Sequence, residues 1–257
     1  MTESKFYPGS LQIPPMKYCA KASEAQAEQA WASGDWLMQE KKDGALYQLE
    51  KTDEGYLYLF SRTVSKKTGE LAEKLENFPQ IQEWGEKLPN GTIVVGEVYL
   101  PGGKSNDVTR LTGCLPSKAI ARQFDEAKAD IFLGPAHYYV FDCLRYNGEL
   151  ITDKPAIERL NNYLGYKMLD LFNDEEYVEI AEVYESRFAE RLQEIFAEGG
   201  EGAVFKNKNV PYKVGKRSTV KEAFKWKQHL DSLDLVCMEL LDPVKEYTGK
   251  EVNTWPY

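Results

Sequence analysis

At 257 residues the chain is long enough for one large domain, or for a medium domain with a small one beside it. An apolar share of 42%, a charged share of 28% and a net charge of −9 are those of a soluble globular protein; no apolar run nears the length of a membrane span, and the polar start Met1-Thr2-Glu3-Ser4 has no signal-peptide core. Four scattered cysteines without a Cys-x-x-Cys pair and only two histidines, His137 and His229, argue against a disulfide framework, a His-based metal site and a His-based triad, leaving chemistry to Lys, Arg, Asp, Glu or a metal in a reduced cytoplasm or other intracellular compartment.

Residues 1–20 read as irregular, broken by Pro8, Pro14 and Pro15. Ser23-Glu24-Ala25-Gln26 forms a capping-box pattern opening a helix that runs to about Ser33 and stops at Gly34. A strand over 36–40 then delivers Lys41 to a tight turn, Lys41-Lys42-Asp43-Gly44, which opens a second strand over 45–51. A turn at 52–55 and a strand over 56–61 complete an antiparallel hairpin, supported by the alternation in Leu46-Tyr47-Gln48-Leu49 and Tyr56-Leu57-Tyr58-Leu59. A helix is expected over 69–84, a β-rich run over 92–100 with Gly96-Glu97 in its middle, a loop over 101–106, and a helix near 117–127.

The run 137–144 is aromatic and β-branched, with Asp142 near its end, and reads as a strand. Asp153-Lys154-Pro155 starts a short helix with Ile157, Leu160 and Leu164 on one face. A second amphipathic helix, about 186–197, buries Phe188, Leu192 and Ile195 and ends at Gly199-Gly200. Strands are expected over 202–206, 223–228 and 233–240, with 243–257 a trailing linker. The sum is an α+β domain over 21–242, mostly antiparallel strongly twisted sheet with helices on its outer faces.

Charge is spread unevenly. The segment from Leu169 to Glu201 is strongly acidic, whereas Lys206, Lys208, Lys213, Lys216, Arg217, Lys221, Lys225 and Lys227 face one acid, Glu222. A basic segment on an acidic protein suits one polyanion at one place.

Six stretches occur in a telling order: Lys41-Lys42-Asp43-Gly44, Ser61-Arg62, Gly96-Glu97, Val140-Phe141-Asp142, Glu201-Gly202-Ala203-Val204-Phe205-Lys206 and Lys225-Trp226-Lys227. This series resembles the nucleotidyltransferase (adenylation) domain of ATP-dependent DNA ligases, within the superfamily that also holds RNA ligases and mRNA capping enzymes. The likeness runs from about Met38 to Glu239, and 227–236 resembles the continuation in phage-type and bacterial DNA ligases. It implies an ATP-grasp-like fold and ATP use as covalent AMP. It also implies Mg²⁺ (or Mn²⁺), nicked duplex DNA as partner, a monomer, and work in DNA repair, replication or recombination.

By that resemblance Lys41 is the nucleophile on the α-phosphorus of ATP, giving a lysyl-AMP phosphoramidate and pyrophosphate. Gly44 permits the turn beside it, and the extra cation Lys42 is expected at the surface. Nucleotidyl transfer is mostly positioning and neutralisation of phosphate charge. Lys225 and Lys227 alternate on a strand and so share one face; they are expected at the α-phosphate, with Lys206 adding a third charge. The resemblance further assigns ribose hydroxyls to Glu97, adenine stacking to Phe141, nucleotide contact to Glu40 and the 5′-phosphate of a nick to Arg62. Glu201, with Asp43, is the expected metal ligand.

Two departures stand out. The arginine usual in Lys-x-Asp-Gly-x-Arg is Leu46 here, which shifts phosphate handling toward Arg62 and Lys66. Only about thirty residues follow Lys227, too few for the OB-fold domain that follows in the family, so weak sealing by this chain alone is expected. Rival readings are an RNA ligase, a capping guanylyltransferase preferring GTP, and a non-catalytic nucleotide- or DNA-binding module that binds ATP without an adduct.

Overall fold

Strand alternation gives each sheet of this protein one apolar face for helices and one face for the opposite sheet. The computed structural model describes residues 4–18 and 22–227. The smaller, three-stranded sheet has the order β1 (Trp36–Glu40), β9 (Gly202–Asn207), β10 (Ala223–Lys227), all antiparallel. Met38, Phe205 and Phe224 make its apolar face, and the Phe205 and Phe224 rings stack with centroids 4.9 Å apart. Two helices cover that face: α1 (Glu24–Ser33) through Ala27 and Ala30, and α5 (Phe188–Ala197) through Phe188 and Leu192. The capping box of α1 forms as expected. Ser23 Oγ accepts from the Gln26 N–H at 3.3 Å, the Gln26 side chain accepts from the Ser23 N–H at 3.0 Å, and Gly34 closes the helix at φ 71°.

The seven-stranded sheet runs β4 (Leu71–Glu73), β3 (Leu57–Val64), β2 (Ala45–Lys51), β5 (Thr92–Tyr99), β6 (His137–Tyr146), β7 (Glu149–Leu150), with β8 (Val178–Ile180) added parallel to β6. The expected hairpin is the β2–β3 pair, in register with Leu49 opposite Leu59. On one face Leu49, Leu59, Val94 and Val140 bury against Phe78, Ile81 and Trp84 around helix α2 (Pro79–Lys87); each such side chain contributes about 1.5–3 kcal/mol. The other face takes Ile13 and Met16 of the N-terminal segment onto Ile93, Val95 and Leu144. Glu50, buried in β2, holds that segment by accepting from Ser10 Oγ and the Leu11 N–H, both at 2.7 Å.

Four local expectations are corrected. The helix expected over 69–84 is instead β4, a short 3₁₀ turn over Leu75–Asn77, and then α2. Pro79 disfavours helical backbone at the preceding residue, and Phe78 sits at φ −135°, ψ 73°. The Glu73 carboxylate also accepts the Leu59 and Leu75 N–H groups, which fastens β4 to β3. Helix α3 (Ser105–Thr112) begins inside the expected loop, and α4 (Pro116–Phe124) ends before Ala127. The helix after Pro155 is a wide π-type helix over Glu158–Lys167, with Leu160 and Leu164 buried as expected. The expected strand 233–240 and the trailing segment 243–257 lie outside the described residues. Among the described residues no helix is long and apolar enough to cross a membrane.

Candidate active site

The same alternation that buries Met38, Phe205 and Phe224 turns their neighbours the other way. Gln39 on β1, Lys41 just beyond it, Val204 and Lys206 on β9, and Lys225 and Lys227 on β10 all line one groove of about 1000 Å³. Arg62 of β3, Glu97 of β5, and Tyr139 and Phe141 of β6 line it from the larger sheet. Glu40, Asp43 and Glu201 also line it; of the residues expected from sequence to handle phosphate, Lys66 does not line this groove. Phe141 follows Tyr139 onto the groove face by alternation, and a β-bulge there carries Asp142 to the same side. Gly96 pairs with Val140 but Val95 pairs with Asp142, leaving Phe141 as the extra residue. The ring of Phe141 and the carboxylate of Asp142, successive in sequence, therefore both approach Lys206.

Lys41 Nζ donates to the carboxylate of Glu201 and, at 3.2 Å, to the carbonyl of Lys42. The other Glu201 oxygen takes the ammonium of Lys227. One carboxylate thus binds two lysines carried by the two edge strands of the small sheet. Two glycines let the backbones come this close. A Cβ on Gly44 would strike the Val98 carbonyl, and Gly202, at φ 142°, would strike the Trp226 carbonyl.

Glu97 lies opposite Tyr139 on β6 and Leu46 on β2. Burial pushes its carboxyl up to about 7, against the pull of Lys41 and Lys225. Burial and the neighbouring Lys41 cation both lower Lys225, partly offset by Glu97. Lys225 is therefore a cation in an environment that disfavours cations.

Lys206 differs from the expectation of a third phosphate-binding charge. It is 4% exposed, and its ammonium donates to the Phe141 carbonyl at 2.9 Å and lies 3.4 Å from Asp142. Burial lowers it to about 8, with Asp142 working the other way. Asp142 is fully buried as well. Burial alone would raise it, but Arg159 and Lys206 outweigh that and hold it below the usual carboxylate range. Arg159, from the wide helix, grips it with Nε at 2.9 Å and Nη2 at 3.2 Å. This buried ionic group ties β6 to β9 at the back of the groove. The approach of β6 and the wide helix to β9, invisible in local sequence, takes Lys206 out of solvent.

Lys42 also departs from expectation. Its side chain is 19% exposed rather than solvated, because Glu40 and two tyrosine rings enclose its ammonium. Asp43 turns toward α3, where its carboxylate accepts the Ser105 N–H at 3.3 Å and lies 3.8 Å from Lys104. Among the described residues no three His, Cys, Asp or Glu side chains converge as a metal cage. Glu201 would suit a Mg²⁺, an ion that favours carboxylate oxygen, whereas the Asp43 carboxylate is already engaged by the Ser105 N–H and Lys104.

Sequence reasoning missed Gln39, Tyr139 and Arg159. Gln39 is 2% exposed, lines the groove, and neither end of its amide has a hydrogen-bond partner. Its signal was available, since it stands two residues before Lys41 and must share its face. Tyr139 stands likewise two before Phe141, whereas Arg159 has no local signal.

A sequence model described as ATP dependent DNA ligase domain matches residues 15–227. A DNA ligase of Methanothrix thermoacetophila is 29% identical over 232 residues, covering 88% of this chain. The chain spans only 38% of that relative's length. Among solved structures, the ligase domain of M. tuberculosis LigD superposes with a TM-score of 0.57 at 19% identity, over 84% of this chain and 59% of that one. The ATP-dependent DNA ligase of bacteriophage T7, in complex with ATP, gives 0.55 at 19% identity over 94% of this chain and 80% of that one. At those identities the likeness is one of fold: a nucleotidyltransferase domain of curled antiparallel sheets flanked by helices.

Proposed function

This chain belongs to the family of ATP-dependent DNA ligase domains, and on that premise we propose that it is the adenylylating unit of a DNA ligase. Lys41 takes AMP from ATP and passes it to the 5′-phosphate of a nick in duplex DNA, where a 3′-hydroxyl then displaces AMP. The observation that carries the reading is the placement of Lys41 Nζ in a groove with Glu201, Glu97, Lys225 and Lys227 around it.

In the first step the Lys41 amine sheds a proton, and its lone pair forms a P–N bond at the α-phosphorus. The α–β bridging P–O bond breaks and pyrophosphate leaves with the electron pair; a second proton leaves nitrogen as the phosphoramidate forms. Glu201, already hydrogen-bonded to Nζ, is placed to accept the first proton. Lys225 and Lys227 neutralise charge on the α-phosphate oxygens, and the phosphate in turn offsets the burial that disfavours the Lys225 cation. Glu201 would hold a Mg²⁺, which would add to the neutralisation of phosphate charge.

Phe141 stacks on adenine, and Glu97 accepts from ribose hydroxyls. Gln39 offers one donor and one acceptor to the edge of the base, which complete its unpaired amide. Arg62 binds the 5′-phosphate of the nick. Lys206 serves this groove indirectly, by fixing the Phe141 carbonyl and hence the ring.

Intact mass after incubation with ATP and Mg²⁺ tests the reading. A gain of one AMP, absent in Lys41→Ala and absent with GTP, is expected. ATP binding without a covalent adduct on the unaltered chain would instead identify a non-catalytic nucleotide-binding module. Nicked duplexes with a DNA or RNA 3′-hydroxyl strand then separate a DNA ligase from an RNA ligase.

A further inference from the structure

Lys42 is held more firmly than a lysine in a turn has any need to be. Its Nζ lies 2.8 Å from Glu40 Oε2, 5.0 Å from the centre of the Tyr139 ring and 5.4 Å from that of Tyr99. Tyr99 and Tyr139 belong to β5 and β6 of the large sheet, and the Tyr99 hydroxyl is itself anchored on Glu179. Lys42 sits in the turn leading from β1 to β2, so its side chain spans from the small sheet to the rings of the large one. A free lysine keeps its rotamer entropy and its water. Cation–π contacts with two rings, together with a carboxylate partner, replace that water only when the rings and the ammonium are pre-set.

The main chain of the same residue touches the chemistry. Lys41 Nζ donates to the Lys42 carbonyl at 3.2 Å, while the Lys41 N–H is fixed on the Gly202 carbonyl at 2.9 Å. Glu201 and the Lys42 carbonyl are therefore the two protein groups that aim the amine. Residue 42 thus carries both the carbonyl that meets the Lys41 amine and the ammonium held against the two tyrosines. On the far side Gly44 lies flush on the Val98 carbonyl, so the turn is gripped at both ends.

We propose that Lys42 is a positioning residue for adenylyl transfer, holding through its own carbonyl the amine of Lys41 in line with the α-phosphorus. The inference rests on Lys41 being the nucleophile. A purely structural Lys42 would contribute to stability alone. A positioning Lys42 contributes to the rate of the covalent step at saturating ATP, because misplacement of a reacting atom by a fraction of an ångström lowers the rate of that step while leaving ground-state binding in place.

The test is the single-turnover rate of AMP adduct formation on the full chain, followed by intact mass across ATP concentrations, alongside melting temperature. Lys42→Met keeps the apolar stem and removes the charge. It is expected to lower the limiting rate about tenfold, with the half-saturating ATP concentration within about twofold of the unaltered chain. Lys42→Arg, which keeps charge and ring contact, is expected to restore the rate to within about threefold. Tyr99→Leu removes one ring without touching the groove wall. It should mimic Lys42→Met, and the double variant should be no slower than the slower single one. Lys42→Met at the full rate, a loss confined to half-saturation, or losses that simply multiply would each overturn the proposal. An unaltered chain that acquires no AMP would overturn the nucleophile reading and this inference with it. Adducts at equal rate in the unaltered chain and in Lys42→Met overturn this inference alone.

Discussion

Lys41 and Glu201 stand 160 positions apart in the chain, and their side chains form an ion pair. The pairing of β1 with β9, which sets Glu40 opposite Ala203, delivers both to the same end of the small sheet. Because Glu201 also binds Lys227, neutralising this one carboxylate frees two cations at once. We expect Glu201→Gln to lower the single-turnover rate of AMP adduct formation by about 10²–10³-fold, the scale of losing one preorganised electrostatic partner. Melting temperature should change little, since both side chains keep partial access to water. A rate within a few-fold of the unaltered chain would show that the carboxylate is a clamp and takes no part in the transfer.

Glu97 makes the protein sensitive to pH. Burial lifts it to about 7 in the folded protein, above its value in the unfolded chain. Its stabilising contribution is thus complete at acidic pH, below the unfolded value, and is lost as pH rises through 7. The loss is at most about 3 kcal/mol. Urea unfolding at pH 5 and pH 8 should show the unaltered chain losing more stability across that interval than Glu97→Gln. The adduct-forming rate should move the other way, rising through pH 7 as the carboxylate able to accept ribose hydroxyls appears.

The buried group Arg159–Asp142–Lys206 predicts a sharp asymmetry. Arg159→Met leaves Asp142, fully buried, with only the 3.4 Å contact to Lys206 as counter-charge. Removing one partner of such a pair costs about 3–5 kcal/mol, read as a fall in the urea midpoint. Replacing all three by apolar side chains of similar size should recover most of that stability. It should also loosen Phe141, whose carbonyl Lys206 holds, and so weaken ATP binding.

Gln39 should separate stability from binding. Its amide is buried without a partner, a condition that costs about 1–3 kcal/mol. Gln39→Leu keeps the volume and removes that cost, so the ligand-free protein should melt higher. The half-saturating ATP concentration should rise by about tenfold, the worth of one lost hydrogen-bond pair. A lower melting temperature would mean that water or a rearranged neighbour already completes the amide.

The expected site residues came from an ordered motif series that resembles a ligase family; strand alternation, a local property, adds which of them share a face. Lys225 and Lys227 must share a face, and so must Gln39 and Lys41. The β2–β3 hairpin was legible for the same reason. What sequence hid depends on pairing between distant stretches. The bulge at Phe141 arises from a register set by β5 against β6. Lys206 looks like an exposed basic residue until β6 and, from the wide helix, Arg159 approach β9. Lys42 looks solvated until two tyrosines from another sheet close on it. The helix expected over 69–84 fails at Pro79, a breaker that apolar spacing overrides on paper and not in the chain.

The partnership of β1 with β9 also sets a timetable. Contacts between residues near 40 and residues near 205 carry a heavy loop-closure cost, and such pairings form late. On a ribosome adding about 5–20 residues per second, on the order of ten seconds separate the emergence of Lys41 from that of its counter-ion. Through that interval the larger sheet can pair most of its strands, while the lysine at the edge of the small one has no groove around it. A chain halted short of β9 therefore carries Lys41, the proposed nucleophile, but neither Glu201 nor the paired lysines. If Lys41 is the nucleophile, reactivity toward ATP is thereby deferred until nearly all the described residues have been made.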